Sequence, residues 1–326
     1  MVAQAAGARC GVSILVTGAG GYVGSLLLEA LAREYRGSIT ALDLRPIGPD
    51  RRIAGVDYVT ADVAGAETAA AIREARPDAV VHLAAVVTPP PGMSREQQHA
   101  IDVIGTRNVL DACVAAKVER IVVTSSGAAY GYHADNPPEL DEDQPLRGNP
   151  EFAYSDHKRQ VEELLANYRT RHPRLAQFVF RVCTVIGATT HNQITALFER
   201  PRLLAIRGAA SPFSFVWDGD VVECLALAVA SARPGIYNLA GDGAMTVQEI
   251  AERLGKRCVE LPAWLLQLAL AVLRPIGVSR YGPEQVDFLR YRPVLGNRRL
   301  KQVFGFAPRC SSREAFEHWA LAHAAA

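Results

Sequence analysis

Cysteine is scarce and scattered. The six cysteines, at positions 10, 113, 183, 224, 258 and 310, include no Cys-x-x-Cys pair. That excludes a zinc ribbon and a dithiol redox motif, and fits a reduced, cytoplasmic chain with packed thiols better than a disulfide framework. No set of His, Cys, Asp and Glu has metal-ligand spacing along the chain, so no metal is expected. Net charge is nearly absent, at +1 over 326 residues, which gives no electrostatic reason to expect nucleic acid as a partner. The one basic run, Arg290, Arg292, Arg298, Arg299 and Lys301, reads as a solvated face, with anion binding as its alternative. A membrane-spanning run is missing too. The most apolar segment, Leu261 to Leu273, is ended by Arg274 and Pro275, short of the about 20 residues that cross a bilayer. It reads as a buried helix or a lid over a substrate, with monotopic membrane contact as the alternative. Residues 1–11 carry a single charge, Arg9, lack the pattern of a signal peptide and read as a flexible tail.

What is present starts at Ser13. The run Ser13-Ile-Leu-Val16 is short and apolar, as in a buried parallel strand, and Gly18, Gly21 and Gly24 follow at spacing three. In such a turn the first glycine lets the chain reverse and the second lets backbone N–H groups approach a pyrophosphate. The third lets the next helix pack on the strand. Val23, Leu26, Leu27, Ala30 and Leu31 have helical period from Tyr22 to Glu34, so helical N–H groups face the phosphates. A second strand, Ile39 to Leu42, runs into Asp43 about 20 residues after the glycines, where a carboxylate accepts both ribose hydroxyls and repels a 2′-phosphate. The expected cofactor is therefore NAD, with Arg45 leaving NADP open. A third strand is expected over Tyr58 to Val63, its Asp62 available to the adenine amine. A fourth is expected over Ala79 to Ala85, its small last residues lying against the cofactor. His82, inside that strand, reads as a packed core histidine.

Arg120 to Ser126 is a fifth strand running into hydroxyls. The carboxyl ends of strands in a doubly wound sheet face the ligand crevice. Ser126 is thus placed to bond a substrate oxygen, with Ser125 and Thr124 as neighbouring candidates. Downstream, Tyr154 and Lys158 fall at i and i+4 on one face of an expected helix, Ala153 to Tyr168. An ammonium one helical turn from a phenol favours the phenolate, which suits Tyr154 to take or give the proton of a carbinol as hydride moves.

These residues resemble the extended short-chain dehydrogenase/reductase superfamily, the group of NAD-dependent sugar epimerases, dehydratases and 3β-hydroxysteroid dehydrogenases. The matching positions are Thr17-Gly-Ala-Gly-Gly-Tyr-Val-Gly24, Asp43, Asp62-Val63, His82-Leu-Ala-Ala85, Gly105-Thr106, Ser125-Ser126, Tyr154, Lys158, Arg181, Gly187, Phe215-Val216, Asp220 and Gly235 to Gly241. The resemblance implies a catalytic triad of Ser126, Tyr154 and Lys158. It also implies NAD contacts from Gly18, Gly20, Gly21, Tyr22, Val23, Gly24, Asp43, Leu44, Asp62, Val63, Leu83, Ala84, Ala85, Thr124, Tyr154 and Lys158. A homodimer through helices 94–117 and 153–171 is expected from the same source. Three positions depart from the nucleotide-sugar pattern. Val182 follows Arg181 where proline is usual, Asp102 stands where asparagine is frequent, and Phe213 holds the place of an arginine that pairs with a substrate diphosphate. Loss of a bidentate phosphate partner is not conservative, although Arg207 is a nearby cation that can compensate.

The alternation of strands and helices predicts an α/β chain: a Rossmann-type doubly wound parallel sheet with a smaller, interleaved C-terminal substrate lobe. The NAD-binding part is expected over 12–187, with 215–240 returning to it. The substrate lobe is expected over 188–214 and 241–326, with a capping box at Thr246 and Glu249. The leading functional expectation is an NAD-dependent oxidoreductase acting on a secondary alcohol or ketone, supported by Phe213 and the apolar 261–273 segment. The alternatives are a nucleotide-sugar epimerase or dehydratase, which returns the hydride within one turnover, and a non-catalytic dinucleotide sensor. A small molecule is the expected partner in each case.

Overall fold

The computed structural model describes residues 11–275, 282–283 and 285–324, and the chain divides into two compact units. The expected tail over 1–11 lies outside the described residues except for Gly11.

The first unit comprises residues up to Ser125 with Gln160–Arg181 and Gly219–Tyr237. Its strands are β1 (Ile14–Thr17), β2 (Ile39–Asp43), β3 (Val56–Thr60), β4 (Ala79–His82), β5 (Arg120–Ser126), β6 (Ala176–Val182) and, after three strands of the second unit, β10 (Gly235–Leu239). They form one sheet in the order β10-β6-β5-β4-β1-β2-β3. The pairs β1/β2, β1/β4, β2/β3 and β4/β5 are parallel, with Ile14 opposite Ile39 and Ala79. Strand order reverses between β1 and β4, the position where a doubly wound sheet opens a crevice at its carboxyl ends. Helices α1 (Tyr22–Glu34), α2 (Glu67–Ala75), α3 (Arg95–His99) and α4 (Gly105–Ala115) flank the sheet; a wider helical turn, Ala100–Ile104, joins the last two. All four residues of β1 and of β4 are buried, as runs covered on both faces must be. Leu15, Leu42, Ile72, Val80, Val109, Ile121, Leu165 and Val179 share one core, each buried aliphatic side chain being worth about 1.5–3 kcal/mol.

The second unit comprises Ser126–Arg159, Val182–Asp218 and residues from Asn238 onward. It holds the start of α5 (Ala153–Arg171), the paired strands β7 (Thr184–Ile186) and β9 (Phe215–Trp217), and the paired strands β8 (Arg202–Ile206) and β11 (Arg257–Leu261). Its helices are α6 (Thr195–Phe198), α8 (Val247–Arg253), α9 (Ala263–Leu273), α10 (Gln285–Arg290) and α11 (Ser312–Ala324), while α7 (Asp218–Ala230) lies almost wholly in the first unit. The core here is aromatic: Phe198 meets Phe213, Phe215, Phe316 and Trp319 at ring separations of 5.2 to 6.0 Å. The expected capping box exists. Thr246 accepts from Glu249 N, and the Glu249 carboxylate accepts from Thr246 N.

Four expectations need correction. The third strand ends at Thr60, because its register with β2 stops where Asp43 meets Thr60; Asp62 opens a turn by accepting from Ala64 N at 2.8 Å. The fourth strand ends at His82, so Leu83, Ala84 and Ala85 follow it as loop. The apolar helix α9 is not buried: Trp264, Leu268 and Val272 are 64%, 56% and 57% exposed. The basic run is not a solvated face throughout. Arg292 is buried, while Arg299 and Lys301 are held by Asp143 and Asp242. No helix among the described residues is long and apolar enough to cross a membrane.

Candidate active site

In the first unit, Gly21 is the extended N-cap of α1; it makes no side-chain cap bond, and the helix has no acid in its first turn. A helix N-terminus of this kind favours an anion. Gly18 sits at a φ of +68°, and a Cβ there would meet Ala84 N at 2.6 Å. A Cβ on Gly24 would meet Gly18 O at 2.3 Å. Both glycines are therefore demanded by backbone that passes too close for any side chain. Asp43 ties this turn together: its Oδ2 accepts from Gly20 N at 2.9 Å and its Oδ1 from Arg45 N at 3.1 Å. Leu83 N donates to Thr17 O at 3.1 Å, which lays Leu83, Ala84 and Ala85 against the glycine turn. Tyr22 and Val23 are half-buried at the start of α1, and Leu44 is exposed beside Asp43. Val63 is buried in the core against Gly105, so only its backbone remains for a ligand. These groups fit the adenosine and pyrophosphate of a dinucleotide.

His82 has its expected structural place. Thr106 Oγ1 lies 2.6 Å from Asp102 O and must donate its proton there, so it accepts from His82 Nε2 at 3.0 Å. His82 Nδ1 lies 2.7 Å from the Thr17 hydroxyl, so both ring nitrogens are hydrogen-bonded inside the sheet. Asp102 is also buried, accepting from Val86 N at 2.8 Å.

In the second unit Ser126 and the start of α5, which carries Tyr154 and Lys158, are linked through one residue, Ala128. Ser126 Oγ accepts from Ala128 N at 3.1 Å, and Ala128 O accepts from Ser155 Oγ at 2.6 Å. Ser155 is fully buried, so the start of α5, and Tyr154 with it, is tied to the strand end that carries Ser126. Lys158 Nζ lies 5.8 Å from the centroid of the Tyr154 ring. Tyr154 is half-buried and Lys158 is buried. In β5 the side chains of Thr124 and Ser126 share one face by alternation. Ser125 is on the other, its Oγ buried without a hydrogen-bond partner among the described residues.

No motif singled out Arg292 in the sequence, yet it is the most unusual cation in this unit. Its guanidinium lies 4.0 Å from the Phe213 ring centroid and 4.4 Å from that of Phe288. It is 9% exposed, and its Nε and Nη2 meet no hydrogen-bond partner among the described residues. Burial pulls its pKa from the usual 12.5 down to about 10, against a raising influence from Tyr132. Tyr132 in turn is pushed up by burial and feels both Arg292 and Tyr154. The rings of Tyr132, Phe288, Phe152 and Tyr154 follow one another at 4.7, 5.3 and 6.3 Å. A buried guanidinium, with two of its three nitrogens unbonded among the described residues, therefore stands at one end of an aromatic series that has Tyr154 at the other. A buried charge is costly without a partner, and an oxyanion is the group that guanidinium N–H donors fit. The only local signal was the aromatic company of Phe288 and Tyr291, because Phe213 lies far away in sequence.

Comparison with known proteins finds relatives over most of the chain. The UDP-glucose 4-epimerase of Mycolicibacterium smegmatis is 29% identical over 320 residues, covering 92% of this chain and 95% of that protein. The 3beta-hydroxysteroid-dehydrogenase/decarboxylase isoform 1 of Arabidopsis thaliana is 24% identical over 336 residues, covering 90% of this chain and 75% of that protein. The crystal structure of the Thermus thermophilus UDP-glucose 4-epimerase in complex with NAD superimposes with a TM-score of 0.73 at 26% identity, covering 96% of this chain and 99% of that one. The family model described as NAD dependent epimerase/dehydratase matches residues 14–240. With a seven-stranded Rossmann sheet, a glycine turn built for a dinucleotide and this match, the chain is an NAD-dependent enzyme of the short-chain dehydrogenase/reductase superfamily and belongs to the NAD-dependent epimerase/dehydratase family.

Proposed function

We propose that this enzyme moves hydride at a secondary carbinol carbon of a substrate that carries an oxyanion, with Tyr154 as acid/base and Arg292 as the anion's partner. The observation that carries the reading is the buried Arg292 guanidinium, whose Nε and Nη2 find no partner among the described residues, in the unit that holds Ser126, Tyr154 and Lys158. Arg292 supports the nucleotide-sugar epimerase or dehydratase reading over an apolar alcohol, because it supplies a cation beside Phe213, where the family's usual arginine is missing. The relatives named UDP-glucose 4-epimerase point the same way.

The groups of the first unit that would hold NAD are the glycine turn, Asp43, Asp62 and residues 83–85, and the cofactor supplies the hydride acceptor when bound. Tyr154 takes the carbinol proton as phenolate and returns it when the carbonyl is reduced. Lys158 holds its ammonium 5.8 Å from the Tyr154 ring centroid, and Ser126 Oγ donates to the reacting oxygen. The Ser155 bond to Ala128 holds these groups in register, which matters because proximity is lost with displacements near 1 Å. The competing reading, net oxidation of a sterol-like or aliphatic alcohol, draws on the Arabidopsis relative and the exposed apolar α9.

The experiment that tests the proposal is incubation of purified enzyme with NAD and a panel of nucleotide sugars, sterols and aliphatic alcohols. Net absorbance of reduced nicotinamide and rearranged sugar are both followed. Rearranged sugar without net reduced cofactor supports the proposal. Oxidation confined to uncharged alcohols contradicts it.

A further inference from the structure

His191, Glu199 and His323 are not clustered in sequence, and no spacing along the chain announced them. The fold brings one ligand atom from each to within 4.8 Å of the others. His191 Nδ1 lies 3.6 Å from Glu199 Oε1, and the His191 and His323 rings meet edge to face at 5.4 Å. All three belong to the second unit, and none is among the residues given a catalytic or substrate-binding role.

The geometry points to a binding site for a divalent transition-metal ion of the Zn2+ class at these three side chains. His323 is prepared as a ligand. Its Nδ1 lies 2.9 Å from the Trp319 carbonyl oxygen, which can only accept, so Nδ1 carries the hydrogen and the Nε2 lone pair is free. A carbonyl holding the second nitrogen of a metal-ligating imidazole is the usual supporting arrangement. The ring plane is set as well: His323 stacks on Trp319 at 4.6 Å and 29°, and Trp319 is 2% exposed. Two imidazoles and a carboxylate are the donor set of Zn2+ sites that leave a fourth position to water. Imidazole nitrogens disfavour Mg2+ and Ca2+, and the lack of a thiolate disfavours Cu(I). Bonds of about 2.0–2.1 Å in tetrahedral array place ligand atoms about 3.3 Å apart. Rotation of the His191 and Glu199 side chains closes the remaining distance, since they are 73% and 48% exposed. The ion joins the segment that carries α6 to the last turn of α11. These elements already share the aromatic core through Phe198 and Trp319, so the ion locks packing that exists without it.

The test uses untagged, chelator-treated full-length protein and a His191→Gln/His323→Gln double variant, each titrated with Zn2+ by calorimetry and then heated. The wild type is expected to bind one ion per chain and to gain about 4 °C in Tm at a Zn2+ concentration about a hundredfold above Kd. The double variant is expected to match the wild type in Tm without Zn2+ and to lose both effects. Equal Zn2+ binding by the two proteins, or none by the wild type, overturns the proposal. If the double variant is less stable without metal, Glu199→Gln serves in its place, because the Glu199 side chain is half exposed and its contact with His191 lies at the surface.

Discussion

Replacing Arg292 by methionine should make the protein more stable and a poorer enzyme. Desolvation pulls the guanidinium pKa from 12.5 to about 10, and each pKa unit corresponds to about 1.4 kcal/mol. The buried charge thus costs folding about 3 kcal/mol at neutral pH. Contacts over the Phe213 and Phe288 rings return about 1–2 kcal/mol of this, so the net gain from an apolar replacement is about 1–2 kcal/mol, within the range seen when buried charges are exchanged for methionine. Unfolding entropy of about 2.1 cal/mol/K per residue over 326 residues turns that gain into a rise of about 2–3 °C in Tm. A base whose folded pKa is depressed destabilises the fold at every pH below that value, so the gain appears across the whole physiological range. Against an oxyanionic substrate, loss of the Nε and Nη2 donors removes charge-assisted hydrogen bonds worth about 1.5–3 kcal/mol each, or about 10²–10⁴-fold in kcat/KM. Differential scanning calorimetry and steady-state kinetics read the two effects separately. A variant with lower Tm and unchanged kcat/KM would refute both the buried-charge argument and the anion-binding role.

Three further outcomes follow from the site. Asp43→Ala should weaken NAD and narrow its preference over NADP, measured as Kd for each cofactor; an unchanged ratio means that Asp43 does not meet the ribose. Gly18→Ala should abolish dinucleotide binding and lower Tm, because the added Cβ meets Ala84 backbone at 2.6 Å in a conformation that alanine disfavours. Ser155→Ala should cost about 1–3 kcal/mol of stability by leaving Ala128 O without its buried donor. It should also lower kcat with little change in NAD affinity, since the tie between Ser126 and Tyr154 is loosened.

The glycine turn, Asp43, β5 and the Tyr154/Lys158 pair were legible in the sequence because each depends on residues close together along the chain. The capping box at Thr246 and Glu249 was readable for the same reason. Burial was legible only where both neighbours of a strand were visible. In α9 a run apolar but for Gln267 proved exposed, since hydropathy records what a helix tolerates and not what packs against it. Strand ends at Thr60 and His82 are set by register with neighbouring strands, which no local pattern states. Arg292 looked like one charge in a basic run, because its aromatic partners Phe213 and Phe288 come from separate segments. The His191, Glu199 and His323 group escaped notice because it joins the loop after β7 to the C-terminal helix.

The most direct measurement is hydride transfer by Tyr154→Phe, read as single-turnover absorbance of reduced nicotinamide with substrate chosen from the panel, alongside NAD binding by the same protein. The account predicts a loss of about 10²–10⁴-fold in transfer with NAD affinity close to that of the wild type. Transfer at the wild-type rate would contradict it.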